Sequence, residues 1–139
     1  DDTEGWYYKL TDVTTASLDL IDAGASYMQF GGTNQGAAPN VLMHTTADAD
    51  IVKFLYIEHT GKRDDGTTNN LADSVYLCFD ASAAANDSAV CIEIGPNETW
   101  FAKLNCPLTS LHCISGQVSK AGTGSNTVQC IVAAMIDNV

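Results

Sequence analysis

Positive charge is what this sequence has least of. Lys and Arg number 6 against 17 Asp and Glu in 139 residues, a formal charge of −11. That field repels phosphate backbones and anionic membrane surfaces, so nucleic acid and membranes are not expected partners. Long apolar runs are missing as well: none approaches the roughly 20 residues that cross a bilayer as a helix. The chain opens without a basic-then-apolar leader, and the expectation is that a signal peptide was removed or never existed. Amphipathic helices of useful length are missing, and with them the alternating strand and helix of a parallel sheet. No internal repeat and no linker divides the chain.

Motifs that carry chemistry are equally scarce. His44, His59 and His112 lie in or beside different strand-like runs, and no two share a ligand spacing. His112 and Cys113 are neighbours, so on a strand they point to opposite faces. Cys106 and Cys113 lack the short Cys-to-Cys spacing of a zinc knuckle. Gly122-Thr-Gly-Ser-Asn departs from the Gly-x-Ser-x-Gly of a nucleophile elbow. The carboxylate pairs Asp48/Asp50 and Asp64/Asp65 sit beside loops without the Asp-x-Asp-x-Asp-Gly order of a calcium loop, and read as solvated loop charge. Two sequons, Asn86-Asp87-Ser88 and Asn97-Glu98-Thr99, are as many as this content of Asn, Ser and Thr produces by chance. No catalytic, cofactor or metal site is assigned, and an enzyme is not expected.

What is present is apolar residue in short runs. Hydrophobic residues make up 45% of the chain, enough to fold one domain over residues 1–139. The first ten or so residues are expected to form a short N-terminal arm, acidic over Asp1 to Glu4 and aromatic at Trp6-Tyr7-Tyr8. Ile92-Glu93-Ile94 alternates with the period of a half-buried strand, Gly95-Pro96-Asn97 breaks it, and Trp100 to Leu104 resumes it. Ile51 to Thr60 carries large side chains on both faces, as in a central strand whose outer face is covered or meets a partner. Val75, Leu77 and Phe79 share one face of another strand. Val128, Cys130, Val132, Ala134 and Ile136 share one face of the last. Further short strands are expected over 6–10, 17–21, 27–30, 41–46 and 108–115, with loops at 31–40, 61–70, 80–88 and 116–126. About eight or nine strands at these spacings predict an all-β, antiparallel β-sandwich of jelly-roll type. Its core is expected to hold Leu77, Phe79, Ile92, Ile94, Trp100, Leu104, Val128, Cys130 and Val132.

Five cysteines, at 78, 91, 106, 113 and 130, are an odd number, and four lie in apolar strand-like runs. They are expected to be reduced, buried thiols. Trp6, Tyr7, Tyr8, Tyr56, Tyr76 and Phe101 are the candidate interface residues. Three consecutive aromatics cannot all enter one core, because successive strand residues face opposite sides. Tyr76 and Phe101 fall opposite the core set of their strands, where a protein interface or a second buried layer accounts for them.

Lys53 to Gly61, Asp73 to Asp80 and Ile92 to Leu104 together resemble the β-sandwich capsid decoration, or cement, proteins of tailed bacteriophages. Those proteins show a strand ending in Asn-Thr-Gly, a Val-x-Leu strand and an Ile-x-Ile-x-Pro-Gly-Glu turn followed by an aromatic residue and Leu. Here His59 stands for the Asn and Asn97 for the Gly, and the likeness covers roughly residues 51–136. It implies a non-enzymatic virion protein, made in a bacterial cytoplasm, that binds the capsid exterior and strengthens it. The partners implied are the major capsid protein and neighbouring copies of the chain itself. A tail or fibre module, or a carbohydrate-binding sandwich recognising a host glycan or receptor, is the alternative.

Overall fold

The computed structural model describes residues 4–29, 42–79, 91–117 and 127–138. Ten strands lie in them: β1 (Glu4–Val13), β2 (Leu18–Asp19), β3 (Ser26–Gln29), β4 (Leu42–Thr45), β5 (Ile51–His59), β6 (Ser74–Cys78), β7 (Ile92–Ile94), β8 (Thr99–Pro107), β9 (His112–Gly116) and β10 (Val128–Asp137). One sheet has the order β4-β3-β1-β10-β5-β8, the other β2-β9-β6-β7. Among the described residues the only helical turn is 3₁₀, Leu108–Ser110.

The topology follows from one folding-over. The pairs β1–β10, β2–β9, β5–β8 and β6–β7 are antiparallel and nest inside one another along the chain. A long hairpin with β6–β7 at its tip has that nesting. Rolled so that successive pairs fall in alternate sheets, it gives these two orders, which is the jelly roll. β3 and β4 are an added hairpin that widens the larger sheet beyond β1.

Alternation sets which face each strand buries. β10 alternates buried and half-buried residues through all ten positions. Its inward side chains Val128, Cys130, Val132, Ala134 and Ile136 meet Leu55 and Ile57 of β5, and Val75, Leu77 and Cys113 of the smaller sheet, in one core. β-Branched and small residues suit that pleated, two-sided packing. Between β7 and β8 the chain reverses over Gly95 to Glu98, with the Glu98 amide donating to the Gly95 carbonyl at 3.0 Å. Pro96 fits the second position of this turn and Asn97, at φ 63°, the third, as a type II turn requires. Asn tolerates that left-handed conformation, which explains how it substitutes for Gly here.

Several expectations need correction. Cys78 and Cys91 form a disulfide, so the five free thiols become three: Cys106, Cys113 and Cys130. The reason is register: Leu77 pairs with Ile92, so the next residues outward, Cys78 and Cys91, face each other with Cα atoms 4.7 Å apart. That spacing suits a disulfide. Phe79 is exposed, not core, because β6 ends at Cys78; its ring lies 5.7 Å from that of Trp100. Ile92, Trp100 and Leu104 are only partly buried at the core's edge. The arm expected over the first ten residues is, from Glu4 onward, β1, paired with β10 over ten residues. The strand expected over 108–115 starts only at His112, after the 3₁₀ turn. Asp50 is buried, its Oδ2 accepting the Ala47 amide at 2.9 Å, and is not solvated loop charge. The expected loops at 31–40 and 80–88, all but the first two residues of the loop at 116–126, the strand ends expected at Phe30 and Val41, and the sequon at Asn86 lie outside the described residues.

Candidate functional site, an aromatic sheet face

Alternation on β1 resolves the three aromatics. Tyr7 points inward and is 2% exposed, while Trp6 and Tyr8 point outward at 42% and 66%. Burial, and secondarily the nearby Asp22 carboxylate, raise the Tyr7 hydroxyl to about 12. Tyr7 therefore leaves the candidate interface. Tyr76 leaves it too: it is fully buried, in a small second cluster with Cys78 and Ile114, on the side of β6 opposite Val75 and Leu77. The four that remain, Trp6, Tyr8, Tyr56 and Phe101, come from three strands and share the outer face of the larger sheet.

The register places them in rows. Across the first run Met28, Trp6, Met135, Phe54 and Lys103. Across the second run Tyr8, Ala133, Tyr56 and Phe101, and across the third Leu10, Ile131, Glu58 and Thr99. Trp6, Tyr8, Leu10, Met28 and Phe101 are all exposed. The Phe54 and Phe101 rings sit 6.4 Å apart, linking the first two rows. Charge stands mostly around this patch. Glu4, Asp12, Glu58 and Asp137 are four of the 17 acidic residues, and Lys53 and Lys103 two of the six basic ones. Lys53 reaches Asp137 at 3.6 Å and Asn105 at 3.0 Å, while the Tyr56 hydroxyl donates to Glu58 at 2.8 Å. An apolar centre with a polar rim is the composition of a protein interface, where Trp, Tyr and Met are enriched.

Sequence parity marked Trp6, Tyr8, Tyr56 and Phe101 but missed Leu10, Met28 and Met135. Their membership depends on which strands become neighbours, and β1 beside β10 is a pairing of chain ends. Other polar clusters are structural. Buried His59 accepts the Gly61 amide at Nδ1 and donates from Nε2 to the Asp73 carbonyl, at 2.9 and 2.8 Å. Desolvation lowers its pKa below 6.5. Asp65 accepts the amides of Thr67 and Thr68 and the Thr68 hydroxyl; these bonds, the hydroxyl first, hold its carboxyl well below the usual range. His112 lies 3.1 Å from Asp19, beside a cleft of about 290 Å³ lined by Lys9, Asp12, Asp19 and Asp22 among others. No group of three or more His, Cys, Asp or Glu able to hold a metal occurs among the described residues.

No protein-family model and no curated protein matches the chain. Among solved structures it is similar to the coat protein of Tobacco streak virus, at a TM-score of 0.42 and 7% identity, covering 99% of this chain and 88% of that one.

Proposed function

We propose that this chain is a non-enzymatic structural protein of a phage virion, one that binds the capsid exterior and stabilises it. The observation that carries the reading is the open aromatic face of the larger sheet. Soluble monomers rarely leave a contiguous apolar patch of more than a few hundred Å² uncovered. Strand spacings of about 4.8 Å and rises of about 3.3 Å give the three rows, at most five strands wide and about five residues long, an area of roughly 400 Å². Such a face serves contact with protein, and the resemblance of residues 51–136 to cement proteins names the setting. The disulfide fits a protein that works outside a reducing cytoplasm. A particle assembled inside a cell and released by lysis meets oxidant on exit, and the facing cysteines close there.

Whole purified particles test the reading. A gel should show this chain in hundreds of copies per particle, and particles stripped of it should break at lower temperature. A few dozen copies would move it to a tail or fibre. Its lack from particles would end the virion reading. One observation favours the glycan alternative, the Tyr56 ring with Glu58 hydrogen-bonded beside it. Binding on a glycan array that disappears in Glu58→Gln would support that alternative.

A further inference from the structure

We infer that the outer face of the six-stranded sheet is covered by a second copy of this chain, packed face to face about a two-fold axis. The inference deepens the reading of this face as a protein-binding surface and rests on that part of it alone. The argument is self-complementarity. A two-fold contact presents one patch to itself, so each residue must suit the residue that rotation brings onto it. Let the axis run along the strands between β1 and β10, the middle of the order β4-β3-β1-β10-β5-β8. Rotation then lays β1 of one copy over β10 of the other, and β5 over β3.

Apolar side chains meet apolar ones through the centre of the face. Tyr8 falls on Ala133 of the second copy, because the two share a row on neighbouring strands. Trp6 falls on Met135 and Leu10 on Ile131 by the same pairing. Phe54 falls on Met28, since both stand in the first row, one strand out on either side. Tyr56 falls near the exposed Ser26, two residues before Met28 on β3. Sulfur against aromatic rings and a phenol over an alanine dimple are favourable contacts. At the rim Asp12 meets Gln129. Glu4 meets Asp137, whose charge Lys53 offsets.

The size also suits a pair of copies. The whole outer face of the sheet, polar rim included, is roughly 700 Å² in projection at the same spacings, near the ~800 Å² per partner of a standard stable interface, and corrugation adds to it. The axis between β1 and β10 overlaps all six strands; an axis between β10 and β5 would overlap four. Two sheets packed this way stand about 10 Å apart with strands near −30°, the aligned packing of ordinary sandwiches.

Sedimentation velocity of the purified chain tests this, run from about 1 to about 100 µM. The wild type should sediment as a dimer. Ala133→Arg, which fills the dimple with a charge, and Tyr8→Ala should each weaken the dimer by about 30-fold or more while keeping the wild-type circular dichroism spectrum. Leu71→Ser, at an exposed apolar residue off the face, should leave the dimer unchanged. A wild-type monomer at the highest concentration overturns the inference, as does a dimer indifferent to Ala133→Arg. A monomer that still coats particles overturns the pairing and spares the virion reading; a dimer found in no particle does the reverse.

Discussion

Phe101 and Tyr76 pose the same problem in sequence and receive opposite answers in space. Each is an aromatic opposite the core set of its strand, Phe101 on β8 of the larger sheet and Tyr76 on β6 of the smaller. Phe101 is 65% exposed, within rows of outward apolar residues. Tyr76 is buried in its own small cluster with Cys78 and Ile114, against which Cys91 packs. Strand parity says which side of a sheet a residue takes. It does not say what covers that side. Among the described residues the smaller sheet carries a second buried layer on its outer face, and the larger sheet shows none.

The largest expected effect exploits this contrast in stability. Tyr76→Ala should cost about 3 kcal/mol or more, because it opens a cavity in a closed cluster. Phe101→Ala should change the stability of the single chain by about 0.5 kcal/mol or less, because its ring is 65% exposed in the folded chain and gains little burial on folding. Urea denaturation of both variants measures the difference, and equal losses would erase the distinction between the two faces.

The disulfide of the smaller sheet comes next. Replacing Cys78 and Cys91 by Ser should remove about 3 kcal/mol, the value for closing a loop of ~15 residues. The wild-type chain, denatured and alkylated without reductant, should take three adducts, at Cys106, Cys113 and Cys130. Burial raises Cys113 to about 12, so it should react only after unfolding. Five adducts would show that the pair is open.

A smaller effect is expected from His59. Its folded-state pKa lies below 6.5, so the unfolded chain binds the proton first. The stability it supports is complete above about pH 6.5 and declines as pH falls below that value. Thermal melts between about pH 7 and pH 5 should show the decline, and His59→Gln should flatten it. An unchanged slope in that variant would assign the pH dependence to other groups.

How far the sequence could be read follows from the same contrast. The alternation of β10, the Pro96-Asn97 turn and the lack of helix are local, and they predict a jelly-roll sandwich before any coordinates. Tyr7 against Trp6 and Tyr8 was legible as an either/or, since parity fixes opposition but not direction. The pairing of Cys78 with Cys91 was not legible. It depends on the register of β6 and β7 across a 13-residue separation, and an apolar strand cysteine reads the same whether free or bonded. Phe79 misled because it continues the parity of Val75 and Leu77 one residue past the end of the strand. Leu10, Met28 and Met135 joined the aromatic face only when β1 was placed between β3 and β10.

The central claim is that contiguity, not exposure alone, marks the docking face. Carbene footprinting of the chain, free and in its assembled form, tests it residue by residue. Trp6, Tyr8, Met28 and Phe101 should lose labelling together on assembly. Leu71 and Phe79, exposed to a similar degree but off the face, should keep theirs. Protection at Leu71 and Phe79, with the four face residues labelled as before, would contradict the account.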